Sequence, residues 1–173
     1  MEPEIEQPED HIDLDLAPIA ARLGARAIDT SLGFLTFFTL LVIVVMAYDV
    51  ELDPENTSEI VLPDGAATIL RWAPLIVWGL YEVPLLMMRG QTLGKIVTKI
   101  KVISSLGDER LRRNSALARW GVLAIPPILI PDPLIGLVIS FFGGMWFALD
   151  SRRQGLHDKA ARTFVVKVAP VDG

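Results

Sequence analysis

Fifteen of the sixteen Lys and Arg residues of this chain fall into three stretches, and long apolar runs separate them. Arg22 and Arg26 form the first. Arg89, Lys95, Lys99, Lys101, Arg110, Arg112, Arg113 and Arg119 form the second, and Arg152, Arg153, Lys159, Arg162 and Lys167 the third. Only Arg71 lies elsewhere. Short loops rich in Lys and Arg stay on the cytoplasmic side of a membrane, so the pattern reads as a topology map. The segment 49–64 contains no Lys or Arg and holds six acids, Asp49, Glu51, Asp53, Glu55, Glu59 and Asp64, so it is expected outside. A chain patterned in this way is expected to span a bilayer.

Composition agrees. Apolar residues make up 51% of the chain, yet charges are confined to a few segments, whereas a soluble domain would spread them over every surface helix. The net charge of -5 averages an acidic tail with basic inner loops and gives no reason to expect a nucleic-acid partner. Residues 1–16 are too charged and too poor in apolar groups to bury themselves, so disorder is expected there. An acidic start also argues against a cleaved leader. The absence of cysteine removes disulfides and thiol chemistry, and two histidines, His11 and His157, are too few for an imidazole metal site. No cofactor is implied.

A bilayer core needs about 20 helical residues. The first span is expected over 28–48, with Asp29 near its inner end. The second is expected over 66–88, with Arg71 snorkelling from beside Trp72 into the headgroups. A small outer hairpin of 60–62 against 68–70 is a less favoured alternative to a simple loop. The apolar region 117–149 is too long for one crossing and is broken at Pro126-Pro127 and Pro131-Asp132-Pro133. Arg119 precedes it and Arg152-Arg153 follow it, so both ends want the cytoplasmic side, which a hairpin of 117–130 and 134–149 satisfies. Both arms are short, so a re-entrant element or one bent span remain alternatives. The expected fold is thus an all-α membrane protein with four spans and both termini inside. Between spans two and three, Leu93, Ile96, Val97 and Ile100 follow helical spacing, with Lys95 and Lys99 at the polar edge, as in an interfacial helix among headgroups. The alternating run 100–104 and the strand-like run 163–168 are candidates to pair into a small sheet.

Two acids interrupt apolar sequence. Asp29 shares a helical face with Arg22 and Arg26, and an ion pair among them that sets helix depth is the favoured reading. Glu82 lies roughly 9 Å inward from Met88 at the helical rise. No basic residue lies within a turn of it in sequence, so it is neutral, or faces a cavity or a partner such as Arg119. A proton-coupled transporter needs such a group, and so does a structural interhelical hydrogen bond. Asp132 needs no role beyond the turn, and Gly143-Gly144 suits close helix packing. The run Gly90-Gln91-Thr92-Leu93-Gly94-Lys95 lacks the spacing of a phosphate loop. His157-Asp158 has no nucleophile in context, so hydrolysis has weak support and no enzyme is expected. Asn56-Thr57-Ser58 matches a glycosylation pattern of little specificity.

The order of motifs resembles that of the RDD family of small polytopic membrane proteins. The resemblance rests on Arg22-Leu23-Gly24-Ala25-Arg26-Ala27-Ile28-Asp29, on Tyr81, and on Gly90 to Lys95 with Lys101-Val102-Ile103. Arg119, Leu156-His157-Asp158-Lys159 and Thr163-Phe164-Val165-Val166 complete it, so that it covers residues 17–168. The Arg and two Asp that name the family fall on Arg22, Asp29 and Asp158. Arg162 departs from the pattern, which usually has Gly there. The resemblance implies a prokaryotic plasma-membrane protein. Some members are reported as sodium(potassium)/proton antiporters, and others are accessory parts of membrane complexes. Arg22, Asp29, Lys95, Arg119 and Asp158 are then ion-pair candidates knitting inner loops onto helix ends. Two functions stay open: a non-catalytic accessory or scaffold subunit with a basic face for a partner or anionic lipid, or a monovalent cation/proton antiporter, oligomeric given its size, with Glu82 and Asp29 as protonatable groups.

Overall fold

A computed structural model describes residues 14–48, 62–108 and 110–168. The acidic tail 1–13, the outer segment 49–61 with its glycosylation pattern and part of the alternative hairpin, and the tail 169–173 lie outside the described residues. The elements are α1 (Ile19–Ala47), α2 (Asp64–Arg89), α3 (Leu93–Val97), β1 (Ile100–Ser104), α4 (Arg113–Leu129), α5 (Pro133–Met145), α6 (Leu156–Ala160) and β2 (Thr163–Lys167). A 3-10 turn, Trp146–Ala148, extends α5. The chain is mostly helical with one small sheet.

α1 packs on α2, α2 on α4, and α4 on α5, in an alternating up-and-down order. α1 and α2 are long and apolar enough to cross a membrane. Their outer surfaces agree, since Phe34, Leu35, Met46, Ile76 and Leu80 are each more than half exposed. In water such a coat is an aggregation hazard, whereas in lipid it faces its own kind. The one buried apolar cluster among the described residues joins Ala17, Ala25, Leu86, Ile100, Val102, Leu111, Ala116 and Val165. It sits where the inner helix ends meet the sheet.

Several expectations need correction. Helix α1 begins at Ile19, ahead of the expected span 28–48, so Arg22, Arg26 and Asp29 all ride on it, as their shared helical face requires. Residues 68–70 are helical, which removes the outer hairpin. Arg71 does not simply snorkel: its Nη2 donates to Ile128 O at 2.8 Å and its guanidinium lies over Trp72, tying α2 to the far end of α4. The tail is ordered sooner than residue 17, because Leu16 bridges Val166 and Lys167 N donates to Asp15 O at 3.0 Å. An edge backbone with partners on β2 needs no apolar side chains to stay put, which is why composition misplaced the boundary. The expected pairing of 100–104 with 163–168 is present as antiparallel β1 and β2, with Val102 opposite Val165.

The apolar region 117–149 is a helical hairpin, and its proline pair is accommodated rather than disruptive. Pro127 has no N–H, so the carbonyl of Leu123 loses its helical donor. Ser140 on α5 replaces it, with Oγ 2.7 Å from Leu123 O and 3.0 Å from Gly136 O. Gly136 lets the backbones meet, since a Cβ there would stand 2.5 Å from Pro127 Cα and 2.7 Å from Pro126 O. Asp132 caps α5 by accepting from Leu134 N at 2.8 Å and Ile135 N at 3.3 Å. Both helices are short, about 25 Å for α4 and about 20 Å for α5 at the helical rise.

Lys99, Arg153 and Arg162 take left-handed backbone, with φ of 54°, 51° and 52°. They are the non-glycine residues to do so among the described residues.

Gly136→Ala is expected to destabilise the protein in detergent by about 2 kcal/mol, because two backbones block the added methyl. Gly121→Ala, whose Cβ would meet Ile125 Cδ1 at 3.7 Å, is expected to be neutral or stabilising in the same thermal unfolding experiment.

Candidate functional site

The helix ends, the sheet and α6 converge on a buried polar cluster. Asp158, fully buried, is its hub. It opens α6, where its Oδ2 accepts from Gly155 N at 2.8 Å and so caps its own helix. The same Oδ2 lies 3.3 Å from Arg22 Nη1 on α1, and Oδ1 is paired with Arg119 Nη1 on α4. Arg119 Nη1 also donates to Thr163 Oγ1 at 2.6 Å, and Thr163 Oγ1 donates to the Asp158 carbonyl at 3.3 Å. Arg22 Nη2 reaches Val165 O at 3.4 Å, and its guanidinium lies over the Phe147 ring. One carboxylate thereby joins α1, α4, α6 and β2. Burial by itself would raise the Asp158 carboxyl, but Arg119, Arg22 and the Gly155 N–H hold it well below the usual carboxylate range.

Asp29 is the second hub. The favoured sequence reading paired it with Arg22 and Arg26, and the structure corrects this: Arg22 turns to Asp158, and Asp29 turns to α2 and α3. Its Oδ1 accepts from Tyr81 Oη at 3.0 Å and Gly94 N at 2.9 Å, and its Oδ2 from Thr92 Oγ1 at 2.6 Å. Lys95 Nζ stands 3.9 Å away and donates to Thr92 Oγ1 at 3.1 Å. Leu93 N donates to Tyr81 Oη at 2.9 Å. The first N–H groups of a short helix lack internal partners, so α1 and α2 cap α3 from outside. Gly94 has to be glycine, because a Cβ would collide with the Ala25 carbonyl. Gly90, at φ 66°, turns the chain out of α2. Lys95 therefore points inward, not among headgroups as its place on the polar edge suggested. Burial lowers its ammonium from the ordinary value, although Glu82 and Asp29 act the other way.

Glu82 is 3% exposed and its Oε2 accepts from Trp78 Nε1 at 3.0 Å. It makes no ion pair among the described residues, and Arg119 is taken by Asp158. A cavity of about 40 Å³ connects these groups, lined by Arg22, Arg26, Lys95 and Arg119 against Asp29, Glu82 and Asp158. That leaves room for a few waters. Arg26 reaches it from α1 with its guanidinium against Gly144, so the glycine pair makes room for the side chains of Arg26 and Leu156 rather than for a second helix backbone. The Nε atoms of Arg22 and Arg119 and His157 Nδ1 are buried without a partner among the described residues, so waters in this cavity are their natural complement.

Each ion-pair candidate read from the sequence thus reaches this cluster, and so does Glu82. Sequence reasoning missed Trp78, although it stands four residues before Glu82, and Gln154, whose buried Nε2 donates to Thr163 O at 2.9 Å. The spacing signalled the first, whereas nothing local signalled the second. No group of acids or histidines suited to a metal occurs among the described residues.

Burial lowers the His157 imidazole well below its ordinary value of 6.5; Asp158 opposes this, while Arg119, Arg26 and Lys95 reinforce it. His157 is neutral when folded and takes up a proton when unfolded, so acid favours the unfolded chain from about pH 6.5 downward. Asp158, depressed when folded, adds its own loss as pH falls below about 4. Stability in detergent is expected to be about 1.4 kcal/mol lower at pH 5.5 than near neutrality from His157 alone. His157→Asn is expected to flatten that limb when unfolding is followed across pH 5–7.

A model of the RDD family matches residues 16–162, most of the chain, and the chain belongs to that family. RDD proteins are membrane proteins, and the two long apolar helices fit that character. No curated protein and no solved structure matches the chain.

Proposed function

We propose that the protein is a non-catalytic accessory or scaffold subunit of a membrane complex, crossing a prokaryotic plasma membrane four times with its sheet end and both termini in the cytoplasm. The basic residues at both ends of the α4–α5 hairpin favour two crossings there, with the short helices thinning the bilayer around them. One observation carries the functional reading: the family's motif residues satisfy one another. Asp158 is spent on two arginines, and Asp29 on α3. The cavity between them carries four cationic side chains against three carboxylates, which repels a monovalent cation. Such an arrangement makes the sheet end a rigid, positively charged face for a partner or for anionic lipid.

A second reading has its own observation. Glu82 is a buried carboxylate with one neutral hydrogen-bond donor and no paired cation among the described residues, as a proton-coupled cation antiporter requires. Proteoliposomes decide between the two. Under sodium or potassium gradients, the scaffold reading expects no proton flux above protein-free vesicles. Flux in the wild type that vanishes in Glu82→Gln would overturn it and establish the antiporter.

A further inference from the structure

At the sheet end, apart from the buried cluster, a groove of about 410 Å³ opens between Ser105, Arg152, Gln154, Lys159, Arg162 and Phe164. Its volume falls in the range of small-molecule sites. Its walls are braced from behind. Gln154 Nε2 is bonded to Thr163 O, Ser105 N donates to Arg162 O at 2.9 Å, and Lys159 is paired with Asp150. Arg152 and Arg162 are different. Both are exposed, and neither guanidinium has a hydrogen-bond or ion-pair partner among the described residues. No carboxylate among the described residues lines the groove.

Arg162 also sits at φ 52°, a backbone region that glycine enters freely and a long side chain enters at a cost. The turn from α6 into β2 uses this conformation, and an arginine placed there at a cost points to use of its side chain. Two unpaired guanidinium forks, a hydroxyl at Ser105 and an aromatic wall at Phe164 match the chemistry of a phosphate ester, its oxygens held bidentately and its glycerol or sugar against the ring. Arg152 follows closely on Leu149 and Trp146, exposed at the end of α5 by 83% and 44%, where an interfacial aromatic and an apolar contact with lipid are expected.

We infer that this groove is a binding site for one phosphoryl group, presented by the headgroup of an anionic phospholipid. The inference is independent of whether the buried cavity passes ions. Its reliance on α5 as a membrane helix lies only in choosing the lipid as the source.

Full-length protein in nonionic detergent, titrated with phosphatidylglycerol, phosphatidylcholine or soluble glycerol 3-phosphate, tests it by native mass spectrometry and thermal shift. Phosphatidylglycerol adducts are expected to persist where phosphatidylcholine adducts do not. Arg152→Gln and Arg162→Gly are each expected to weaken phosphatidylglycerol about tenfold, the worth of a charge-assisted contact. Arg113→Gln, an equal loss of charge on exposed α4, is expected to leave it unchanged. Arg162→Gly relieves the left-handed strain, so its loss of binding comes with unchanged or higher thermal stability and cannot be ascribed to unfolding. A shift by glycerol 3-phosphate equal to that by the lipid, and lost in the same variants, keeps the phosphoryl site but assigns its source to a soluble ester. Undiminished binding in Arg152→Gln and Arg162→Gly, or an equal loss in Arg113→Gln, would overturn the site and leave only diffuse surface charge.

Discussion

Asp158 shares its carboxylate between a guanidinium from α1 and one from α4, buried from the surrounding solvent, and that sharing fixes where the sheet end can sit. A single buried ion pair adds little over well-packed apolar residues, but removing one member leaves the others stranded. Here the penalty is unusually well distributed. Without Asp158, two arginines from different helices would be left facing each other in a buried cavity without the carboxylate they share, and α6 would lose its cap. The cost of breaking the cluster therefore falls on four elements together, and this keeps short, weak elements such as α6 and β2 docked on the longer helices.

The rest of the molecule follows an inside-out logic. Long apolar side chains face outward, and the interior is closed by small residues and hydrogen bonds. The α4–α5 hairpin shows how narrow that allowance is. A proline pair frees a carbonyl, a serine on the facing helix supplies the missing donor, and a glycine brings the two backbones close enough for it to reach. In an apolar surrounding an unpaired carbonyl is costly, so such substitutes are part of the fold rather than decoration.

Much of this was legible in the sequence, because charge and hydropathy act over whole segments. The position of the helices, the hairpin and its turn, and the pairing of 100–104 with 163–168 all followed from patterns longer than a few residues. The choice of ionic partner did not. Arg22, Arg26 and Asp29 do share one helix, but spacing alone describes a face and says nothing of what packs on it. Once α3 and α6 dock, Asp29 gains three donors on α2 and α3, and Arg22 gains a carboxylate, both better geometries than a contact along the helix. Lys95 was misread for the same reason, since a short helix capped by other helices takes its orientation from them. Leu16 was missed because an edge strand held by backbone alone leaves no side-chain pattern.

A double-mutant cycle on Asp158 and Arg119, read by unfolding of the purified protein in mixed micelles, tests the central claim most directly. With Asp158→Asn, Arg119→Gln and the two combined, the double variant is predicted to be no less stable than the worse single variant, a coupling of about 2 kcal/mol or more. Single costs that simply add would contradict the account, and would mean that the carboxylate and the guanidinium stabilise the fold independently.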